Sequence, residues 1–404
     1  MRLPDGFLVG TATAAHQVEG GNVYNDNWLL EHVRDTPYAE PSGDACDHYH
    51  RFRDDIALVA ELGLQAYRFS IEWARVEPEE GELSLAELEH YRRVLAACHE
   101  HGVTPMLTFH HFTSPRWVTA DGGWEGPRTP ERFARYCERA MRRLGDLVPY
   151  ACTLNEPNVG ALLFEALGFP HPRGTRAWAA AAAALGTTED RLAPLFFAGS
   201  PKAAEVTREA HRLAVEAIKG VRPETQVGLT VAMSAWEAAP GGEETLARLR
   251  RVSEDVFLAG VEGDFFGVQN YSTLLVGPDG PVDPGPDVER TQMGYPYAPD
   301  ALGHAIRRAA DLTGLPVFVT ENGIATDDDA RRIAFVEGAL EGVEACLRDG
   351  LDVRGYFYWS LFDNFEWLLG YRPTFGLVAV DRTTQERTVK PSARRLGEIA
   401  RRVG

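Results

Sequence analysis

Two glutamates occupy sequence positions suited to cleaving a glycosidic bond. Glu156 and Glu321 each follow a short apolar run, which is ended by Pro157 in one case and by Asn322-Gly323 in the other. Such bonds are cleaved by two carboxyl groups, one protonating the leaving oxygen and the other attacking the anomeric carbon or activating water. A buried strand end can tune the pKa of such a group, whereas most of the 59 acidic residues fall on solvated helix faces. One such glutamate alone could simply cap a turn, but two together predict a paired-carboxylate site.

The elements that carry these glutamates alternate regularly along the chain. Eight short apolar runs alternate with eight longer amphipathic ones, which predicts a parallel sheet covered by helices. Eight such units predict a closed (β/α)8 TIM barrel with its active site at the C-terminal ends of the strands. An open doubly wound sheet is the alternative, but the turn Gly10–Ala15 lacks the GxGxxG pattern that this fold normally carries there.

The predicted strands are Phe7–Ala12, Ala66–Ile71, Thr104–Phe109, Tyr150–Leu154, Gln226–Val231, Phe265–Asn270, Pro316–Thr320 and Arg354–Trp359. The predicted helices are Tyr49–Leu62, Leu85–His101, Pro130–Leu144, Pro201–Lys219, Glu243–Ala259, Pro299–Leu312, Asp328–Arg348 and Pro391–Arg402. No linker interrupts this pattern, so residues 1–404 are expected to form a single (β/α)8 domain. Two excursions, a short helix at Ala177–Leu185 and a turn-rich loop at Gly277–Gly285, either border the active-site mouth or are plain solvated surface.

Other side chains at the strand ends could complete a sugar site. Arg68 lies within the second strand and needs a carboxylate partner, because an unpaired buried charge is costly. Glu366 follows the eighth strand between Trp359 and Trp367, where indole rings can stack on a sugar and a carboxylate can bind its hydroxyls. Further polar residues end strands three and six: His110, His111, Gln269, Asn270 and Tyr271. Any one of them could be a satisfied core residue, and that is the preferred interpretation of His110.

Charge and cysteine content restrict the partners. The formal net charge of −18 disfavours nucleic acid and favours a neutral substrate. Five cysteines without a CxxC pair are typical of reduced thiols in a cytoplasmic protein. The N-terminal residues do not resemble a signal peptide, and no run of about 18 apolar residues predicts a membrane span.

Several long motifs resemble those of family 1 glycoside hydrolases, the β-glucosidase and β-galactosidase group. The similarity runs from Phe7 to about Asp381. Its motifs are Phe7–Gly20, Asp47–Phe52 with Asp54–Ile56, Tyr67–Arg75, Thr153–Pro157, Thr320–Gly323 and Trp359–Trp367. The resemblance implies a retaining β-glycosidase that forms a covalent glycosyl-enzyme, needs no cofactor or metal, and acts on a small-molecule β-glycoside.

The resemblance also implies a role for each matching residue. Glu156 is expected to be the acid/base and Glu321 the nucleophile, with their carboxyl groups about 5–5.5 Å apart. Asn155 is expected to bind the hydroxyl next to the anomeric carbon, while Arg68 and Tyr271 contact the nucleophile. The expected sugar-binding residues are Gln17, His111, Glu366 and Trp367 for the outer hydroxyls, Trp359 as the platform under the ring, and Phe112 and Phe375 as pocket lining.

The sequence departs from the family pattern at three places. Phe112 stands where the family usually has Trp, which removes an indole N–H donor and weakens the case for strict glucose preference. The sixth strand ends Gln269-Asn270-Tyr271 where Asn-Tyr-Tyr is usual. Tyr271 keeps the catalytic position, while Gln269 and Asn270 are expected to change the surroundings where the leaving group binds. The chain is also shorter than usual, which suggests trimmed loops and an open cleft for bulkier aglycones or longer oligosaccharides.

Rival functions remain within and outside the family. Phospho-glycosidases have Ser in place of the glutamate at position 366 and add a Lys; this chain keeps Glu366, and its segment Leu368–Phe375 contains no Lys. Thioglucosidases lack the acid/base glutamate, which is present here as Glu156. Transglycosylation remains open, because the same intermediate can pass to an alcohol. A non-catalytic carbohydrate-binding relative would typically have lost one of the two glutamates.

Overall fold

Eight parallel strands close into a barrel, in which each strand pairs with its two neighbours and the last pairs with the first. The computed structural model describes residues 3–403; Met1, Arg2 and Gly404 of the predicted domain lie outside the described residues. The strands are β1 (Leu8–Ala12), β2 (Ala66–Ser70), β3 (Thr104–His110), β4 (Tyr150–Asn155), β5 (Gln226–Ala232), β6 (Phe265–Gln269), β7 (Val317–Asn322) and β8 (Val353–Trp359). The closed barrel predicted from the sequence is confirmed, and the open-sheet alternative is wrong.

The barrel strands are buried along almost their whole length. Every residue of β2, β6 and β7 is buried. A parallel strand covered on both faces loses the polar alternation of a half-exposed strand and becomes a continuous apolar run. This is why the strands were visible in the sequence as short runs rich in Val, Phe and Leu.

Eight helices cover the outside of the barrel, one after each strand. They are α1 (His48–Glu61), α2 (Leu85–Glu100), α3 (Thr129–Leu144), α4 (Pro201–Val221), α5 (Glu243–Arg250), α6 (Ala301–Thr313), α7 (Asp329–Arg348) and α8 (Pro391–Ala400). Side-chain caps fix where several of these helices begin. At the start of α4, Ser200 accepts a hydrogen bond from the N–H of Ala203, and Pro201 occupies the first turn, where its missing N–H costs nothing.

The predicted helix Glu243–Ala259 is not continuous. After α5 the chain forms a π-helical turn at Arg251–Asp255 and then a short α-helix at Val256–Leu258. A second π-helical segment, Ala161–Ala166, lies in the excursion after β4. Such insertions widen the helical hydrogen-bond ladder, which hydrophobic periodicity alone does not reveal.

Shorter elements fill the loops. The short α-helices are Ala15–Val18, Asp26–His32, Trp73–Val76, Arg116–Ala120 and Arg176–Ala184, and the last of these confirms the predicted Ala-rich helix. The 3-10 segments are Gly123–Glu125, Gly145–Leu147, Leu195–Phe197 and Trp367–Leu369.

Two small sheets were not predicted. Thr273–Gly277 pairs with Ala235–Ala238 and with Gly280–Pro281, so the loop predicted at Gly277–Gly285 begins as a tight hairpin. Val378–Val380 pairs with Arg387–Val389. Strands this short contain too few residues to show an alternating pattern. Within residues 3–403, no helix is long and apolar enough to cross a bilayer.

The two strands that deliver the glutamates have irregular pairing at their C-terminal ends. The register between β4 and β5 shifts between Cys152 and Asn155, and that between β6 and β7 shifts between Val319 and Glu321. An irregularity of this kind bends a strand and redirects the next side chain. Both shifts fall immediately before a candidate catalytic residue.

Candidate active site

Glu156 lies on a sharp turn directly after β4. Its backbone has φ 42°, in the left-handed region that non-glycine residues rarely adopt. The turn is held because the N–H of Glu156 donates to the carbonyl of Thr230 on β5 at 2.9 Å, while the N–H of Val159 donates to the carbonyl of Glu156 at 3.0 Å. A side chain held in this conformation at the barrel mouth is typical of functional positions.

Glu321 lies within β7, and its carboxylate is bound on both oxygens. Nη1 of Arg68 donates to Oε1 at 2.5 Å, and the hydroxyl of Tyr271 donates to Oε2 at 2.6 Å. Arg68 is fully buried and Glu321 is 3% exposed. The carboxylate partner that the sequence predicted for Arg68 is therefore Glu321.

Asn155 is fixed beside this ion pair through its side-chain oxygen. Oδ1 accepts from Nη2 of Arg68 at 2.5 Å and from Nε2 of Gln269 at 2.8 Å. The hydroxyl of Thr230 lies 3.3 Å from the same oxygen. Arg68 thus joins the nucleophile candidate to Asn155 through its two terminal nitrogens.

The protonation of His111 follows from this arrangement. Nδ2 of Asn155 lies 3.1 Å from Nε2 of His111, and an amide nitrogen can only donate, so Nε2 is the acceptor. Burial, together with the charge of Arg68, holds the pKa of His111 well below its usual value. The ring is therefore neutral with its proton on Nδ1, a buried atom without a partner among residues 3–403.

The two glutamates differ in acidity. Burial and then the charge of Glu321 hold the pKa of Glu156 well above its usual value, against a smaller opposing effect of Arg68. Burial also raises the pKa of Glu321, but to a smaller extent, because Arg68 and the hydrogen bond from Tyr271 offset part of the effect. Glu156 is therefore the weaker acid of the pair, and Glu321 the stronger.

A second group of polar atoms surrounds Glu366. Its Oε1 accepts from Nε1 of Trp359 at 3.4 Å and from Nδ2 of Asn364 at 3.1 Å, and burial raises its pKa to about 8. Nε2 of Gln17 donates to the carbonyl of Phe365 at 2.7 Å, which places Gln17 beside the same segment. Oε1 of Gln17 is buried without a partner among residues 3–403.

Aromatic rings connect this group to the carboxylates. The ring of His111 stacks on Trp359 with centroids 5.6 Å apart, and Phe112 packs edge-on against Trp367 at 5.1 Å. Phe375 packs edge-on against Tyr271 at 5.9 Å. The structure therefore brings together all twelve residues that the sequence assigned to the site.

His110, by contrast, does not join the site. Its Nε2 lies 2.9 Å from the hydroxyl of Ser114, and its ring packs edge-on against Trp124 at 4.6 Å. Burial lowers the pKa of His110 to about 3. It is a core histidine, as preferred from the sequence.

Tyr295 is a site residue that the sequence reasoning missed. It lies on a hairpin closed by the Arg290–Pro296 bridge, where Gly294 takes φ 80°. Its side chain is 37% exposed, yet desolvation and the charges of Glu156 and Glu366 raise its pKa to about 12. The phenol therefore lies within electrostatic range of both carboxyls, and only a Gly-Tyr-Pro turn marked it in the sequence.

Paired carboxyls of unlike acidity, at the C-terminal ends of two strands in a (β/α)8 barrel, fit the two-carboxyl chemistry of a glycoside hydrolase. The whole chain matches glycosyl hydrolase family 1, over residues 1–261 and 262–404, and it belongs to that family. Among residues 3–403, no three His, Cys, Asp or Glu side chains converge as a metal site would require.

Named relatives are similar over nearly the whole chain. Thermostable β-glucosidase B of Thermobispora bispora is 34% identical over 449 aligned positions, covering 100% of this chain and 92% of the relative. A bifunctional β-D-glucosidase/β-D-fucosidase of Bifidobacterium breve is 32% identical, with 97% and 96% covered. The solved structure of β-glycosidase BGL167 superposes with a TM-score of 0.96 at 54% identity, with 99% and 97% covered.

Proposed function

We propose that this retaining β-glycosidase is a β-glucosidase that also accepts β-fucosides and β-galactosides. The single observation that supports the catalytic assignment is the pair Glu156 and Glu321, of which only Glu321 is held by Arg68 and Tyr271. The relatives named above include β-glucosidases, one of which is also named a β-fucosidase. A site that accepts several related sugars agrees with the absence of an indole donor at Phe112.

In the first step, an oxygen of Glu321 attacks the anomeric carbon while Glu156 gives its proton to the departing oxygen. The bond from the sugar to the leaving group breaks as the bond to Glu321 forms. In the second step, Glu156 takes a proton from water, the water oxygen displaces Glu321, and the anomeric configuration is retained. Arg68 and Tyr271 hold the two oxygens of Glu321, so one of them must loosen as the ester forms.

The same pair explains how one residue can act as acid and then as base. While Glu321 is charged, it raises the pKa of Glu156, which keeps the proton ready for the leaving group. Esterification removes that negative charge. The pKa of Glu156 then falls, and its carboxylate becomes available to deprotonate water.

The remaining residues bind the sugar. Asn155 binds the hydroxyl beside the anomeric carbon, and Trp359 forms the platform under the ring. Support comes from the buried Oε1 of Gln17 and Nδ1 of His111, which have no partners among residues 3–403. Buried polar groups are normally satisfied, so a hydroxyl-rich ligand suits these positions. The other proposed contacts are Glu366 and Trp367 for outer hydroxyls, and Phe112 and Phe375 as lining.

The aglycone side is proposed to be open. The alignment with the Thermobispora enzyme spans 449 positions whereas this chain has 404 residues, so that relative carries insertions. Tyr295 stands at the mouth as a half-exposed aromatic surface. Kinetics on cello-oligosaccharides test this proposal: activity should persist beyond the disaccharide, and a collapse beyond it would refute the open cleft.

The test of the proposed function is a panel of 4-nitrophenyl β-glycosides. We expect turnover of the glucoside with the highest kcat/KM, lower but measurable values for the fucoside and galactoside, and β-glucose as the first product by NMR. Product analysis with an added alcohol separates hydrolysis from transglycosylation. A folded protein that turns over no β-glycoside would instead be a carbohydrate-binding relative.

We further propose that residues 1–404 form one domain and that the enzyme is cytoplasmic. All five cysteines are free and buried, which suits a reducing compartment. An acidic surface disfavours nucleic acid. Fractionation of the native host tests the location, and enzyme activity in the periplasmic or culture fraction would contradict it.

A further inference from the structure

Gln269, at the end of β6, makes a contact that the reaction scheme does not use. Its side chain is 1% exposed, and Nε2 donates to Oδ1 of Asn155 at 2.8 Å. Its backbone is held on both sides, since its Cα pairs in register with Glu321 on β7 and Ala232 on β5. The carbonyl of Gln269 also accepts from the N–H of Met233 at 2.7 Å.

This contact reinforces the orientation in which Arg68 holds the amide of Asn155. The guanidinium of Arg68 can only donate, so the Asn155 atom that it meets at 2.5 Å must be the oxygen. Gln269 supplies a second donor to the same oxygen. Turning the amide over would place its NH₂ group against the N–H donors of Arg68 and Gln269, and all three groups would be left without an acceptor.

The fixed oxygen leaves the nitrogen of Asn155 for other partners. Nδ2 faces Nε2 of His111 at 3.1 Å and has a second hydrogen to donate. During turnover Arg68 must adapt as Glu321 changes from carboxylate to ester, because Arg68 binds both Glu321 and Asn155. Gln269 is neutral, and among residues 3–403 its side chain has no hydrogen bond to the Glu321 carboxylate, so its hold on Asn155 does not depend on that change.

We propose that Gln269 is a positioning residue that orients Asn155 and thereby sets how strongly the enzyme depends on the sugar's 2-hydroxyl. The proposal rests on the proposed function, in which Asn155 binds that hydroxyl. Gln269 acts through Asn155, and its own Oε1 is buried without a partner among residues 3–403. A direct contact of that oxygen with the sugar would persist in an Asn155→Ala background. The contact depends on the length of the Gln269 side chain. An Asn at this position would be shorter by one carbon–carbon bond, about 1.5 Å, and its amide would not reach Oδ1 of Asn155.

The test compares two substrates that differ only at the 2-hydroxyl, an aryl β-glucoside and its 2-deoxy analogue. Gln269→Met keeps the side-chain length but removes the donor, and Gln269→Asn keeps an amide but shortens it. Both should lower kcat/KM for the glucoside roughly tenfold, the loss of about one hydrogen bond. Both should leave the 2-deoxy substrate within about twofold of wild type.

A matched control is Asn270→Leu. Asn270 is the next residue, is equally buried, and donates to the carbonyls of Met233 and Ser272, without contacting Asn155 or Glu321 through its side chain. Any loss in this variant should affect both substrates equally. In an Asn155→Ala background, Gln269→Met should have no further effect on the glucoside.

Two results would overturn the proposal. Equal losses on both substrates in Gln269→Met would mean that the residue is merely structural. A full additional loss in the Asn155→Ala background would mean that Gln269 acts independently of Asn155. Wild-type enzyme that turns over neither substrate would instead refute the proposed function, so the two failures are distinguishable.

Discussion

The ends of β4 and β7 present the same kind of side chain to one site, and they differ in what surrounds it. On β7, Arg68 and Tyr271 each donate to Glu321. After β4, no hydrogen bond from residues 3–403 to the Glu156 carboxyl contributes to its acidity, which is governed by burial and by the charges of Glu321 and Arg68. In the proposed mechanism two identical carboxyls take opposite tasks, because donors stabilise a negative charge and their absence favours a retained proton.

Removing the β7 carboxylate should have the largest effect. Glu321→Gly should lower kcat for an aryl β-glucoside by more than about 10⁴-fold, because the covalent intermediate can no longer form. Added azide should restore turnover and yield the α-glycosyl azide. Retained activity without azide, or a β-azide product, would place the nucleophile elsewhere.

Removing the β4 carboxyl should have a smaller effect that depends on the substrate. Glu156→Ala should slow glucosides with poor leaving groups by about 10²–10⁴-fold, since these require the proton, and should spare dinitrophenyl glucosides in the first step. Azide should here give the β-glycosyl azide, the opposite anomer from that expected for Glu321→Gly. Equal slowing of good and poor leaving groups would refute the acid role.

The pKa of Glu156 should fall when Glu321 is esterified. For the free enzyme, kcat/KM should decrease at high pH as Glu156 loses its proton. It should also decrease at low pH as Glu321 becomes protonated. In a trapped glycosyl-enzyme, NMR of labelled glutamates should show a pKa of Glu156 lower by at least about one pH unit, because the charge that raised it is gone. An unchanged value would mean that the two carboxyls are not electrostatically linked.

The smallest expected effect is a change in sugar preference, caused by substitution of Phe112. Phe112→Trp should add an indole donor next to Trp367 and raise the glucoside-to-fucoside ratio of kcat/KM by roughly fivefold, about one hydrogen bond. Phe112→Leu, which adds no donor, should not raise this ratio. If the two variants give the same ratio, the indole N–H does not govern the sugar preference.

The barrel and both glutamates could be predicted because their signals are local. Continuous apolar runs mark the strands, and Pro157 after Glu156 and Gly323 after Asn322 mark the strand ends. These signals depend only on neighbouring residues, which is why the predicted strand bounds agree with the structure to within two residues.

The features that were missed depend on distant contacts or on backbone irregularity. Gln269 meets Asn155 across 114 positions, so the sequence suggested a changed environment there but not the hydrogen bond. The left-handed backbone of Glu156 and the register shifts before both glutamates leave no compositional trace. The hairpin that carries Tyr295 is too short to show a strand pattern.

The most direct test of the difference between β4 and β7 is covalent trapping. A 2-deoxy-2-fluoro β-glucoside with a good leaving group should inactivate the wild-type enzyme with one sugar bound per chain. Peptide mapping by mass spectrometry should find that sugar on Glu321. Labelling of Glu156 instead, or complete hydrolysis of the reagent with inversion and no adduct, would contradict the assignment of the two carboxyls.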